Sequence, residues 1–231
     1  GKGARLGARM TYFNKSLIKI GDKAVISHTI DAFPIETEFV IALGYKGDIV
    51  RQYLELTYPE RKFIFVWCEK YMGEYGSGPG RALLDSREHL QCPFYYVSCD
   101  AIIDWDKRLH NREDWAGWSE IEESEIKDYC TIEMKDPFSV GLWEVSGFHN
   151  KSAKGTTNAF TGVAHINDYQ TFWKKMDKEG ISEEQEIQVV PSILSIPYIS
   201  AWWVDWWDTG SEKGIQMARE HFPGLQNLDK V

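Results

Sequence analysis

The sequence lacks several features that would assign it to common classes of protein. Its longest apolar runs, such as 63–67, are far too short to span a bilayer, which excludes a membrane protein. Its four cysteines show no C-x-x-C spacing and follow no signal peptide, so we expect a reduced, cytoplasmic location. It also contains no low-complexity stretch and no internal repeat.

Positive charge is outnumbered, with 26 lysines and arginines against 35 aspartates and glutamates. The formal net charge is -9 and the isoelectric point is about 5.2, so no overall positive field gathers the phosphates of a long nucleic acid. We therefore do not expect polymeric DNA or RNA as a partner. The 231 residues, 43% hydrophobic and 26% charged, have the composition of a globular protein and the length of one large domain.

Strand and helix patterns alternate in the first half of the chain. Apolar runs predict strands at 38–45, 62–67 and 93–99, and helical periodicity predicts helices at 48–58 and 81–90. This alternation predicts a parallel sheet. The second half is more mixed. There we expect a hairpin at 129–136 and 139–145, strands at 158–166 and 201–207, a helix capped by Asp168, a capping box at Ser182 and Gln185, and a helix at 211–221.

The first 21 residues form a basic segment without any acid. Its charges and glycines are Lys2, Arg5, Arg9, Lys15, Lys19, Gly1, Gly3 and Gly7. Such a loop can bring backbone N–H groups and cationic side chains to the oxygens of a polyphosphate. A solvated basic face or a flexible tail would have the same composition, so both interpretations stay open at this point.

Three short segments here, 1–6 (GKGARL), 15–17 (KSL) and 20–23 (IGDK), resemble the signature of the sugar-phosphate nucleotidyltransferases. The spacing from Arg5 to Lys15 matches without a gap, although residues 4, 8, 10 and 14 depart from the pattern. The resemblance implies that Arg5 contacts the triphosphate and that Lys15 lies by the reacting phosphates. In that family an apolar central strand precedes the loop, and we expect this chain to begin inside a longer one.

The resemblance also implies an architecture. We expect an α/β fold of the three-layer, Rossmann-like (GT-A-like) type, with a mixed, mostly parallel sheet and helices on both faces. Residues 1–231 would form a single domain, with a nucleotide-binding half at about 1–104 and an acceptor-binding half at about 105–231.

Two aspartates are candidate ligands for Mg²⁺. Asp100 follows a predicted strand, at the end where open α/β sheets bind ligands. Magnesium prefers one or two carboxylates together with substrate phosphates, so a second carboxylate is wanted. Residues 207–211 (WDTGS) resemble the family's W-x-D-x-G-T segment and make Asp208 that candidate. Helix capping or turn formation is the alternative role for each aspartate.

Further site residues come from the same resemblance. The loop 73–80 resembles the family's glycine-rich segment against the nucleobase. The predicted nucleotide-binding residues are Gly1, Gly3, Ala4, Arg5, Gly76, Ser77, Gly78 and Gly80. The segment 158–162 resembles one beside the sugar, and the predicted acceptor-binding residues are Lys151, Lys154, Thr161 and Gly162, with the two lysines as alternatives for the acceptor phosphate.

Together these residues imply a nucleotidyltransferase that joins a nucleoside triphosphate to a sugar 1-phosphate, releases pyrophosphate and serves activated-sugar synthesis for surface glycans of the capsule type. The predicted catalytic residues are Arg5, Lys15, Asp100 and Asp208, with Mg²⁺ as cofactor. Two alternatives stay open: a cytidylyltransferase acting on phosphocholine or another non-sugar phosphate, and a non-catalytic, nucleotide-binding regulatory domain. Homo-oligomerisation also stays open.

Overall fold

The computed structural model describes residues 6, 12–72, 75–104, 113–135, 143–151, 154–179, 187–193 and 195–222. Within these ranges the chain is mixed α/β, as predicted. No helix in the described ranges is long and apolar enough to cross a membrane.

The first half follows the predicted alternation of strands and helices. A short 3₁₀ helix at Lys15–Leu17 leads into an antiparallel hairpin, and a parallel pair of strands follows. The elements are β1 (Lys19–Ile20), β2 (Lys23–Ala24), α1 (Val25–Ala32), β3 (Glu38–Leu43), α2 (Gly47–Thr57), β4 (Lys62–Trp67), α3 (Pro79–Ser86) and β5 (Phe94–Val97). The helix predicted at 81–90 therefore begins earlier and ends in a separate 3₁₀ turn, Arg87–His89.

The second half builds the largest sheet. Its elements are β6 (Ala101–Ile103), β7 (Trp115–Glu120), β8 (Thr131–Met134), β9 (Trp143–His149), β10 (Asn158–Ile166), α4 (Tyr169–Glu179), α5 (Val190–Ile193), β11 (Ser200–Trp203), β12 (Trp206–Asp208) and α6 (Glu212–His221). Six strands pair in the order β5-β10-β7-β11-β9-β8, while β6 and β12 form an antiparallel pair of their own. The predicted strand at 158–166 is confirmed. β8 and β9 pair as the predicted hairpin, although β9 ends at His149 and not at residue 145.

The prediction of a mostly parallel sheet is wrong for the described strands. Of their pairings, only β3 with β4 and β7 with β11 are parallel. The physical reason lies in the connections, because β8 and β9 follow each other as a hairpin and β10 lies antiparallel to both of its main neighbours, β5 and β7.

The single strand predicted at 201–207 is also wrong, because the chain changes partners within it. β11 runs parallel to β7, and the Val204 N–H then donates to the carbonyl of Trp118 (3.0 Å). The carbonyl of Asp205 instead accepts from the Asp104 N–H (3.0 Å), and β12 continues antiparallel to β6. An apolar run cannot reveal such a break, since both halves are equally apolar.

One core cluster holds the candidate site elements together. It buries apolar side chains from the start of the chain, β1, α1, β6 and α6, namely Leu6, Ile18, Ile20, Val25, Ile102, Ile215 and Ala218. The predicted helix cap at Asp168 is confirmed, since Asp168 accepts from the Thr171 N–H (3.0 Å) at α4. The structure adds a second cap at the start of α6, where Ser211 accepts from the Gly214 N–H (3.1 Å). The capping box at Ser182 and Gln185 lies outside the described residues.

Candidate active site

An ion pair joins the start of the chain to the end of β5. The Lys15 ammonium donates to Asp100 Oδ2 at 2.5 Å, and the two side chains are 17% and 15% exposed. The pair is therefore largely buried but still open to solvent on one side. The structure brings these two predicted residues together although they lie far apart in sequence.

Asp100 is oriented from its other side by β10. The Ser98 hydroxyl donates to Asp100 Oδ1 (2.6 Å), and the Ser98 N–H donates to the carbonyl of Gly162 (2.7 Å). Gly162 has φ +78°, and a Cβ at this position would lie 2.7 Å from the Ser98 Cβ. Glycine is needed here because the two strands approach too closely for a side chain. Gly162 is thus linked to Asp100 by way of Ser98.

Asp208 is held next to Asp100 by hydrogen bonds through the main chain. β12 ends at Asp208, opposite Ala101 of β6. The following residue, Thr209, is fully buried and donates both its N–H and its hydroxyl to the Asp100 carbonyl, each at 2.8 Å. The Gly210 N–H donates to Asp208 Oδ1 (2.8 Å). The positions of the two aspartates relative to each other are therefore set by the backbone.

Tyr129 is a site residue that the sequence patterns did not reveal. Its hydroxyl donates to Asp208 Oδ2 (3.0 Å), and its ring meets the ring of Trp206 edge-on, with centroids 5.3 Å apart. Both acceptor oxygens of Asp208 thus have a protein donor. No local pattern signals this contact, because the two residues lie 79 positions apart.

The charges at the site are mutually stabilising. Burial alone lowers the pKa of the Lys15 ammonium, but the negative potential of Cys99 and of the two aspartates outweighs burial, so this pKa is raised. At Asp100, burial acts to raise the pKa, and the Lys15 ammonium with the Ser98 hydroxyl more than reverses that, so the pKa lies below its usual range. Both groups are therefore charged at neutral pH.

The two carboxylates belong to the ligand type that magnesium uses in proteins. In the described ranges no three His, Cys, Asp or Glu side chains converge on one point, so a cation held here would have two protein carboxylates and complete its shell with water or substrate oxygens. That is the coordination that Mg²⁺ favours. Asp100 and Asp208 would hold the ion.

We expect replacement of Tyr129 by phenylalanine to weaken divalent-cation binding by about tenfold, as removal of a group that orients a ligand typically does. Asp208 Oδ2 would lose the hydrogen bond from the Tyr129 hydroxyl while the ring contact with Trp206 stays. Titration with Mn²⁺ measures the effect. Tyr198→Phe, at a side chain 87% exposed, is the matched control and should change nothing. Equal affinities in the two variants would contradict a positioning role for Tyr129.

Lys15 is presented by a turn that Asn14 stabilises. Asn14 Oδ1 accepts from the Ser16 N–H (3.0 Å), and Asn14 Nδ2 donates to the carbonyl of Tyr45 (2.6 Å). Asparagine stands here in place of the proline expected from the family signature, and its side chain ties the turn to the loop after β3. The predicted residues Gly1, Gly3, Ala4 and Arg5 lie outside the described residues.

The predicted glycine-rich loop leads into α3. Gly76 and Gly78 have positive φ (73° and 108°), and the hydroxyl of buried Ser77 has no hydrogen-bond partner. Gly80 packs against backbone, since a Cβ there would lie 2.8 Å from the carbonyl oxygen of Ile187. Its N–H donates to that same carbonyl (2.7 Å). Gly80 therefore joins α3 to the segment before α5, and base contact at this loop stays a prediction.

The predicted acceptor-binding residues lie in two parts of the structure, strand β10 and the loop between β9 and β10. Thr161 is buried in β10, and its hydroxyl lies 2.7 Å from where a Cβ on Gly117 would be. The carbonyl of Gly162 accepts from Ser98, whose hydroxyl donates to Asp100. Lys151 and Lys154 are exposed in the loop between β9 and β10. Their part in binding an acceptor phosphate stays a prediction.

Solved structures share this fold along nearly the whole chain. UDP-glucose pyrophosphorylase complexed with UDP-glucose matches with a TM-score of 0.76 at 16% identity, over 96% of this chain and 95% of that one. The UTP-bound UGPase from Acinetobacter baumannii matches at 0.70 and 14%, over 100% and 94%. HddC from Yersinia pseudotuberculosis, complexed with GMP-PN, matches at 0.67 and 16%, over 96% of each chain.

Sequence comparison alone finds no such likeness. No family model matches the chain, and no curated protein matches it. Identities of 14–16% accompany agreement in three dimensions over nearly the full length. The resemblance predicted from the N-terminal segments is confirmed at the level of structure: this chain has the fold of the sugar-phosphate nucleotidyltransferases.

Proposed function

We propose that this protein is a nucleotidyltransferase that transfers a nucleoside monophosphate from a nucleoside triphosphate to a sugar 1-phosphate and releases pyrophosphate. The observation that carries the proposal is the meeting of Lys15, Asp100 and Asp208, which come from three distant segments to one partly open site. A cation and two carboxylates placed together at strand ends suit the handling of phosphate groups.

The reaction needs charge stabilisation more than it needs a base. An oxygen of the acceptor phosphate would attack the α-phosphorus in line, forming one P–O bond while the bond to the β-phosphate breaks and its electron pair leaves with pyrophosphate. The acceptor phosphate is already ionised at neutral pH, so no residue has to remove a proton. Positioning and fixed charges would supply the rate enhancement.

The chain's own residues suit these tasks. Lys15, with its raised pKa, would stay positive and offset charge that builds at the α-phosphorus. Arg5 would hold the departing pyrophosphate. Bound magnesium would neutralise phosphate oxygens of nucleotide and acceptor together. Ser98, Thr209 and Tyr129 would act as positioning residues for the two carboxylates.

The structural neighbours support a nucleotide and a sugar as ligands. UDP-glucose is bound in one of them, UTP in a second and GMP-PN in a third. The same fold therefore accepts more than one base. A sugar as acceptor is further supported by the segments 207–211 and 158–162. The product would be an activated sugar, which a glycosyl-transfer reaction of glycan assembly would consume.

A matrix of substrates tests this proposal. The four common ribonucleoside triphosphates and dTTP would be combined with sugar 1-phosphates and with phosphocholine, in the presence of Mg²⁺, and pyrophosphate release would be measured. We expect turnover with one or a few sugar 1-phosphates. Turnover confined to phosphocholine would replace the proposal with the cytidylyltransferase alternative. Binding of nucleotide without turnover in any combination would favour the regulatory alternative.

A further inference from the structure

The Lys15 ammonium is the counter-ion of Asp100. It bonds to Asp100 Oδ2 at 2.5 Å and is under the attractive potential of Asp208. The second oxygen of Asp100 accepts from Ser98. Of the two Asp100 oxygens, Oδ2 is thus the one held by a cationic side chain.

A divalent cation at these aspartates would compete with that ammonium. Magnesium binds carboxylate oxygens directly, at about 2.0–2.1 Å. An ammonium hydrogen-bonded to the same oxygen would lie within a few ångströms of the ion, where like charges repel strongly in a partly buried site. Metal and ammonium therefore cannot both make their best contact with Asp100 Oδ2.

The lysine can move without disturbing the fold. Its backbone is fixed by Asn14 and by buried Ser16, while the side chain has four rotatable bonds and is 17% exposed. The opening to solvent gives the ammonium a direction in which to leave. Only the side chain has to change conformation.

We propose that Lys15 is the resident counter-ion of Asp100 and Asp208 in the metal-free protein, and that a divalent cation displaces its ammonium and so releases it for the phosphates of the nucleotide. This inference rests on the proposed function. It assigns Lys15 two successive partners and makes cation binding the event that frees it. Cation binding would accordingly precede productive binding of the triphosphate.

Mn²⁺ affinity of the nucleotide-free protein provides the first test. We expect Lys15→Gln to bind Mn²⁺ about tenfold more tightly than the unmodified chain, because the ion no longer has to displace an opposing charge. Lys15→Arg keeps the charge and should bind no more tightly than the unmodified chain. Lys23→Gln is the matched control, since Lys23 forms a similar pair with Asp31 (2.6 Å) at the surface. It should leave the affinity unchanged.

Amine labelling of Lys15, followed by mass spectrometry, separates displacement from simple repulsion. We expect labelling of Lys15 to rise severalfold in saturating Mn²⁺ while that of Lys23 stays constant. Unchanged Lys15 labelling in saturating Mn²⁺, or Lys15→Gln binding Mn²⁺ no more tightly, overturns the inference and leaves the proposed reaction standing. Unchanged Mn²⁺ affinity in Asp100→Asn would instead overturn the metal site on which the proposed function also depends.

Discussion

Replacement of Asp100 by asparagine is expected to lower pyrophosphate release by about a thousandfold or more, the magnitude typical for loss of a charge that acts on the transition state. The amide keeps the size of the side chain and can still meet Ser98, but it lacks the negative charge that attracts a cation. The effect should appear in kcat as well as in kcat/KM, since charge stabilisation matters most at the transition state.

The same replacement removes the partner of the Lys15 ammonium. Because the pair is 17% and 15% exposed, water compensates in part, and we expect a loss of about 1–3 kcal/mol in unfolding free energy. Urea denaturation measures this. Asp104→Asn, at an exposed neighbour, is the matched control and should keep both activity and stability. Near-normal turnover by Asp100→Asn would remove Asp100 from the active site.

Replacement of Gly214 by alanine is expected to destabilise the protein by about 2–4 kcal/mol, as forced overpacking does. In an ordinary exposed helix the same change would stabilise by about 1 kcal/mol. Here a Cβ on Gly214 would lie 1.7 Å from the carbonyl oxygen of Asp208. The sign of the effect is therefore reversed by this single contact.

The clash should also reach the candidate active site, because the Cβ would push directly against the carbonyl of Asp208. We expect Gly214→Ala to lose most of its turnover in addition to its stability. Met217→Ala, 45% exposed in the same helix, is the control and should change the unfolding free energy by less than about 0.5 kcal/mol. A melting temperature of Gly214→Ala at or above that of the unmodified chain would contradict the close approach.

Three candidate site residues, Lys15, Asp100 and Asp208, could be predicted because the residues around each of them form a recognisable sequence pattern. Lys15 belongs to an acid-free basic segment, Asp100 follows an apolar strand, and Asp208 lies in a strand–turn–helix segment. The structure brings these three side chains together. Each signal is local, and the resemblance to the family signature is what implied the roles of Lys15 and Asp208.

The contacts that support the site could not be predicted in this way. Tyr129 reaches Asp208 across 79 positions, and Ser98 owes its place to the backbone of Gly162. Strand direction in the second half was missed for a similar reason, since apolar periodicity reports burial and carries no record of the pairing partner. Gly80 looks like a loop glycine in sequence, yet it packs against Ile187.

The double hydrogen bond from Thr209 to the Asp100 carbonyl has a consequence for how the protein is made. The site is closed by a residue near the end of the described chain, bonded to one 109 positions earlier. Translation adds about 5–20 residues per second, so the ribosome synthesises Thr209 many seconds after Asp100. During that interval the emerging chain has Lys15 and Asp100 but no Asp208. The proposed metal site would therefore be completed only when β12 folds onto β6, and nascent chains should bind no magnesium there.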